Sequence, residues 1–149
     1  MSAWILPACV NEKKDYYYEV DRSLDTLKTI FWGQSRPITN IEVDDIVYIY
    51  ESSPVQAIGW KCKVIAVKVD YHDTKEIDES DFEHGDGGTS DFYIKITAIA
   101  KYDVEARRKL SYARLRENGL TTRMQGPLKA NAQLFQYINS IKPSVVYND

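Results

Sequence analysis

Apolar and polar positions alternate most clearly in the middle of the chain. Ile46 to Tyr50 reads Ile-Val-Tyr-Ile-Tyr, nearly pure in β-branched and aromatic side chains, and the pattern resumes from Ala57 to Val69 after a Ser52-Ser53-Pro54 turn. Two such runs joined by a turn predict an antiparallel strand pair. In the second run Ile58, Trp60, Cys62 and Val64 share one face and Lys61 and Lys63 the other, which predicts one side in the core and one in water. Phe92 to Ala100 predicts a third long strand. Near the N-terminus, Ala3 to Val10 is an apolar run of strand length, interrupted by Pro7.

Elsewhere the period lengthens. Ser23 is placed to cap a helix whose apolar residues Leu24, Leu27 and Phe31 fall on one stripe, and Ser35-Arg36-Pro37 breaks it. Glu105 to Asn118 is helical in composition and stops at Asn118-Gly119, a favourable left-handed cap. Leu120 to Gly126 is expected to be extended, Gly126-Pro127 to turn, and Leu134, Ile138 and Ile141 to form the apolar stripe of a final helix. With no repeat and no linker, residues 1–149 read as one α+β domain. Its three long strands, with the N-terminal run, suggest a curved sheet or small barrel flanked by helices.

Composition narrows the class. At 149 residues a chain can bury roughly 70% of its unfolded surface, and 44% hydrophobic with 28% charged residues is close to the globular average. Fibrous, disordered and low-complexity classes are excluded. The apolar runs are too short to cross a bilayer, and residues 1–25 lack the apolar centre of a signal peptide. The two cysteines, Cys9 and Cys62, are too few for a disulfide scaffold or a cysteine-built metal cluster, so reduced thiols in the cytoplasm are expected.

The net charge of -3 argues against bulk coating of nucleic acid, but it conceals a division. Between Asp70 and Asp91 nine acids stand against Lys75 alone, while between Val104 and Lys129 seven bases stand against Glu105 and Glu117. The basic stretch, mostly Arg, suits contact with a few phosphates. The acidic stretch, ending in Gly85-Asp86-Gly87-Gly88, reads as a solvated loop joining two strands, and it lacks the spacing of a calcium-binding loop.

Catalytic chemistry is not indicated. His72 and His84 both lie in the acidic segment without a recognised nucleophile motif beside them, and no phosphate-cradling glycine loop or paired-His metal motif is present. Asp44 and Asp45 are adjacent on entering a strand, so they point to opposite faces and do not converge on one ion; a turn is the expected role. No metal and no cofactor is expected, and the chain is not expected to be an enzyme.

Several segments in order resemble one family. The N-terminal strand with Trp4, Asn11 to Tyr16, Trp32-Gly33-Gln34-Ser35 at a helix end, and Val43 to Tyr50 look like the opening half of EVE domains, which are PUA-like modules related to YTH and ASCH domains. Ser52-Ser53-Pro54, Ala57 to Val64, Leu115 to Leu120 and Gln125-Gly126-Pro127 extend the resemblance over nearly the whole chain. Two departures stand out. The family usually has Gly-Asp where this chain has Asp44-Asp45, though Asp tolerates the same turn conformations, and there is no nuclease segment in the sequence.

The resemblance implies a PUA-like curved sheet or small mixed barrel with a pocket for a nucleobase. It implies a non-catalytic module that reads a flipped, modified base, such as methylated or hydroxymethylated cytosine in DNA, as the specificity part of a restriction or defence system with a separate nuclease. An RNA-binding module reading a modified or unpaired base is the alternative, and a small hydrolase acting on a nucleotide is another. Trp32 is the first candidate for a stacking ring, with Tyr48, Tyr50 and Trp60 as a second wall of an aromatic cage. Of the consecutive Tyr16, Tyr17 and Tyr18, at least one is expected near the entrance. Asn11, Ser35 and Ser52 are the candidates for base-edge hydrogen bonds. Arg123, Gln125 and Lys129, extended by Arg114 and Arg116, are the candidates for backbone contacts.

Overall fold

The structure, a computed structural model, describes residues 1–147. In chain order the elements are β1 (Ala3–Ala8), β2 (Tyr17–Tyr18), α1 (Val20–Leu27), β3 (Thr29–Gly33), β4 (Ile46–Glu51), β5 (Ala57–Asp70), β6 (Glu83–His84), β7 (Phe92–Lys101), α2 (Val104–Lys109), α3 (Tyr112–Glu117), β8 (Leu128–Lys129), α4 (Ala132–Ser140) and β9 (Val145–Val146). Seven strands form one mixed sheet in the order β3-β7-β5-β4-β1-β8, with β9 also on β7, while β2 and β6 make a separate two-stranded ribbon. β1 runs parallel to β4, and the other pairs are antiparallel. The α+β class and curved sheet are as the sequence predicts. The sheet does not close into a barrel. No helix among the described residues is long and apolar enough to cross a membrane.

Two cores follow from strand alternation. Trp4 and Leu6 of β1, Val47 and Ile49 of β4, and Ile94 and Ile96 of β7 pack inside the curve with α1. Ile5, Tyr48, Tyr50 and Ile58 pack on the outside beneath α2, α3 and α4. A register shift at Ile49/Tyr50 places Ile58 in the outer core, apart from Trp60, Cys62 and Val64, so the single apolar face expected of β5 divides in two. Lys61 and Lys63 are half-covered.

Three helical expectations change. α1 begins at Val20, with Ser23 buried inside it and its hydroxyl on the Val20 carbonyl. It stops at Lys28, whose φ of 63° takes the chain out of the helix, and Thr29-Ile30-Phe31-Trp32 then follows its β-branched and aromatic character into a strand. The helix expected over Glu105 to Asn118 is two helices, because the Ser111 side chain accepts the Arg114 amide at 3.3 Å and caps a second start. Leu120 to Gly126 adds no strand, and β8 begins only at Leu128.

The Asp44-Asp45 pair is structural. Asp44 has φ 75°, the left-handed region that favours Gly, and Asp45 is buried with its carboxylate accepting the Ser2 amide at 2.8 Å, the Glu42 amide at 3.0 Å and the Trp4 indole N–H at 3.0 Å. Burial pushes the Asp45 carboxyl up, but these donors outweigh it and hold the group below its ordinary range. Its stabilising contribution is therefore present at neutral pH and lost as the pH falls through the aspartate range. Asp45→Ala leaves three donors without an acceptor and is expected to cost about 3 kcal/mol, read by urea unfolding at pH 7.

Candidate functional site

The open seam of the sheet forms the main cavity. β8 pairs with β1 only at Trp4 and Ile5, so beyond Ile5 that side of β1 has no ladder partner until the Cys9 carbonyl accepts the Tyr18 amide at 2.8 Å, and Pro7 occupies this free edge where no ladder donor is needed. β3 is the other end of the sheet. Between them lies a cleft of about 830 Å³, walled by Pro7, Ala8 and Cys9 on one side and by Phe31, Trp32 and Gly33 on the other. That volume is within the range of small-molecule sites.

The ladder fixes which main-chain groups face the seam. Ala98 donates to the Lys28 carbonyl and Gln34 donates to the Phe92 carbonyl, so alternate residues of β3 point toward β7 and Phe31 and Gly33 point away. The Phe31 amide accordingly donates to Glu79 at 3.1 Å. The Phe31 carbonyl and the Gly33 amide and carbonyl remain on the open side of the strand.

The third wall is the acidic segment between β5 and β7. It is more than a solvated connection. Residues Tyr71–Glu76 form a 3₁₀ turn, Phe82 is buried in the inner core, and β6 pairs with β2. This folding brings Asp78, Glu79 and Glu83 to the cleft. Glu79 accepts from the Tyr18 hydroxyl, and Glu83 accepts from the Tyr16 hydroxyl at 3.1 Å. Burial is the main reason both tyrosines are held above the ordinary phenol range, reinforced by these carboxylates. Burial also raises the Glu79 carboxyl, with its two hydrogen bonds opposing the shift.

Of the sequence-predicted base contacts, Trp32 lies in the cleft wall, half-buried, with part of its ring against the inner core. It is on β3 and not at a helix end. Tyr16 and Tyr18 also line the cleft, while Tyr17 turns away and stacks on His84 at 4.4 Å between ring centroids. The proposed second wall is elsewhere. Tyr48 and Trp60 are completely buried and Tyr50 nearly so, Tyr48 beside Phe135 in the outer core and Trp60 with its indole N–H on Asp21 at 2.7 Å. Strand alternation put Tyr48 and Tyr50 on one face as expected, but that face is filled by helices. The Tyr48 hydroxyl has no partner there, so Tyr48→Phe is expected to be neutral or to stabilise by up to about 1 kcal/mol, measured by thermal unfolding.

The edge candidates are also outside the lining. Asn11 accepts the Lys13 amide at 3.0 Å in a turn, Ser35 is exposed before the 3₁₀ turn at Arg36–Ile38, and the Ser52 amide is on the Ala8 carbonyl at 3.0 Å. No preassembled aromatic cage is present among the described residues. The cleft's rings are spread around its wall, and only Tyr71 and Tyr93 approach each other, at 6.0 Å and tilted. The acidic wall, Tyr71 and Tyr93 were missed from sequence. Ile77 and Phe82, apolar residues inside the acidic run, were the available signal that it folds back.

The basic residues occupy other surfaces. Arg114 and Arg116 are exposed on α3, Arg123 and Gln125 are exposed in the loop before β8, and Lys129 lies over the Trp4 ring at 5.9 Å. Trp4 to Pro7 is three strand residues, so Lys129 and the cleft are separated by about 10 Å along β1.

No protein-family model matches the chain, and no curated protein matches it in sequence. Solved structures match over nearly its full length. The human THYN1 protein in complex with DNA containing 5-methylcytosine superposes with a TM-score of 0.65 at 12% identity, covering 94% of this chain and 96% of that one. A hypothetical protein from Leishmania major gives 0.61 at 16% identity, covering 93% and 92%. ASCH from Zymomonas mobilis gives 0.56 at 14% identity, covering 94% and 95%. These likenesses show the fold, which is the PUA-like fold of EVE (DUF55) and ASCH domains.

Proposed function

We propose that this chain is a non-catalytic nucleic-acid-binding module that takes a flipped, modified base, such as methylated or hydroxymethylated cytosine in DNA, into the cleft at the open seam. In this reading it is the specificity part of a cytoplasmic modification-dependent defence system, with cleavage left to a separate nuclease. The observation that carries the reading is the partly buried Trp32 side chain in the wall of an 830 Å³ cleft, beside the free edge of β3. A base extruded from a duplex loses stacking and pairing worth a few kcal/mol, and an aromatic face with edge hydrogen bonds replaces both. The Phe31 carbonyl and Gly33 amide sit two residues apart on one strand edge, an acceptor beside a donor. The exocyclic amine of cytosine or adenine complements the Phe31 carbonyl of that pair. The PUA-like neighbour named as a complex with 5-methylcytosine DNA supports the same assignment.

The test is direct titration of short duplexes and single strands, in matched DNA and RNA versions, each with one modified base. Preference for a modified DNA strand over its plain counterpart supports the reading. Preference for RNA moves the module to the RNA-binding alternative, and release of a product from the modified strand reveals a hydrolase. Arg123→Ala is expected to weaken binding to modified and plain strands alike and to lower the salt dependence by about one phosphate contact, read from affinities across a salt series.

A further inference from the structure

The electrostatics of the cleft narrow the kind of base it favours. Asp78, Glu79 and Glu83 line it against Lys75 alone, so the enclosed part of a guest meets an excess of negative charge while phosphates are kept outside. Aromatic faces add to the same preference, because their π-clouds attract cations. Rings at this end of the molecule already hold them: the Lys75 ammonium is 4.9 Å from the Tyr71 centroid and the Lys95 ammonium 5.6 Å from that of Phe31. Burial keeps the Glu79 carboxyl above its ordinary range, a penalty that a positive charge in the cleft relieves.

We infer that the preferred guest is a nucleobase that is cationic at neutral pH, of the ring-N-methylated class represented by 3-methylcytosine and 1-methyladenine, over its neutral isomer. This rests on the base-binding reading above and goes beyond it in naming the charge of the base. A methyl group on the pairing edge also abolishes the Watson–Crick pair, so such a base costs less to extrude than one that remains paired. A methyl on carbon 5 of cytosine does neither.

The experiment compares isomers. Single-stranded oligonucleotides of one sequence carry 3-methylcytosine or 5-methylcytosine at one position, and a second pair carries 1-methyladenine or N6-methyladenine. Strand length and phosphate count are equal, so the isomers differ in the position of the methyl, the pairing edge it blocks and the charge of the base, and an acidic-wall variant isolates the charge. Wild-type protein is expected to bind the cationic member of each pair at least tenfold more tightly. Asp78→Asn combined with Glu83→Gln, both on exposed residues, is expected to reduce that ratio to less than threefold, mainly by weakening the cationic strand, with a melting curve confirming that the double variant is folded. Equal or tighter binding of the neutral isomer overturns the inference and leaves base binding standing. If none of the four strands is distinguished from its unmodified counterpart, the base-binding reading falls and the inference with it.

Discussion

Trp32→Ala is expected to remove the distinction between modified and plain strands and to weaken binding of the preferred strand by about 5- to 150-fold, the equivalent of losing one base–aromatic contact of about 1 to 3 kcal/mol. Its side chain is the one sequence-predicted base contact that lies in the cleft, and it is half-buried with one portion against the inner core. Binding to plain strands through the basic surface should change little, which separates this variant from Arg123→Ala. Trp32→Phe preserves a flat ring and is expected to recover part of the discrimination. Titrations of both variants against one modified and one plain oligonucleotide decide the matter, with melting curves run alongside because β3 is an edge strand. Unchanged discrimination in the folded Ala variant would place the base elsewhere.

The largest effect on stability is expected from Arg107. Its guanidinium joins three elements: 3.0 Å from Asp21 of α1, 3.0 Å from Glu51 of β4, and 2.8 Å from the Tyr102 carbonyl after β7. Glu51 is 2% exposed, and its contact with Arg107 is an ion pair without an aligned hydrogen bond. Removing one partner of a buried ion pair strands the other, so Arg107→Met is expected to cost about 3 to 5 kcal/mol at pH 8.5, measured by urea unfolding. Gly59 leaves the room for this cluster, since a Cβ there would sit 2.1 Å from the Glu51 carboxylate.

The pH dependence has a definite sign. Burial, reinforced by a shared proton with Asp21 and by its charge, pushes the Glu51 carboxyl up to about 8. The folded state therefore holds this proton more tightly than the unfolded chain. The stability it contributes is fully present below the ordinary glutamate range and declines as the pH rises through about 8. Glu51→Gln is expected to flatten stability between pH 5 and 8.5, and the penalty of Arg107→Met is expected to be smaller at pH 6 than at pH 8.5. Both follow from urea titrations at several pH values.

Much of the scaffold was legible because it depends on local rules. The alternation from Ile46 to Tyr50, Ala57 to Val69 and Phe92 to Ala100 gave β4, β5 and β7 to within a residue or so at each end. The Asn118-Gly119 stop is realised, with Gly119 at φ 114°. What failed depended on competition between elements. Phe31 fitted the helical stripe after Leu24 and Leu27, but a strand edge beside β7 outbid it. Trp32, Tyr48, Tyr50 and Trp60 are the same kinds of residue in the sequence, and tertiary packing decides which ring stays uncovered: α2, α3 and α4 cover Tyr48 and Tyr50, and the inner core with α1 encloses Trp60. The acidic residues looked like surface because charge usually is surface; Phe82 anchors their segment in the core and turns Glu79 inward.

That segment also has a favourable attachment. It leaves β5 at Asp70 and returns to β7 at Phe92, and these two residues are cross-strand partners. Provided that Phe82 and the β2–β6 pairing are kept, the rest of residues 71–91 can therefore be lengthened, shortened or exchanged with only a small change in loop-closure entropy, while the strands on either side keep their register. Such a segment is a replaceable cassette: diversification among descendants of this scaffold should concentrate there, and transplanting residues 71–91 from one homologue to another is a practical route to altered selectivity.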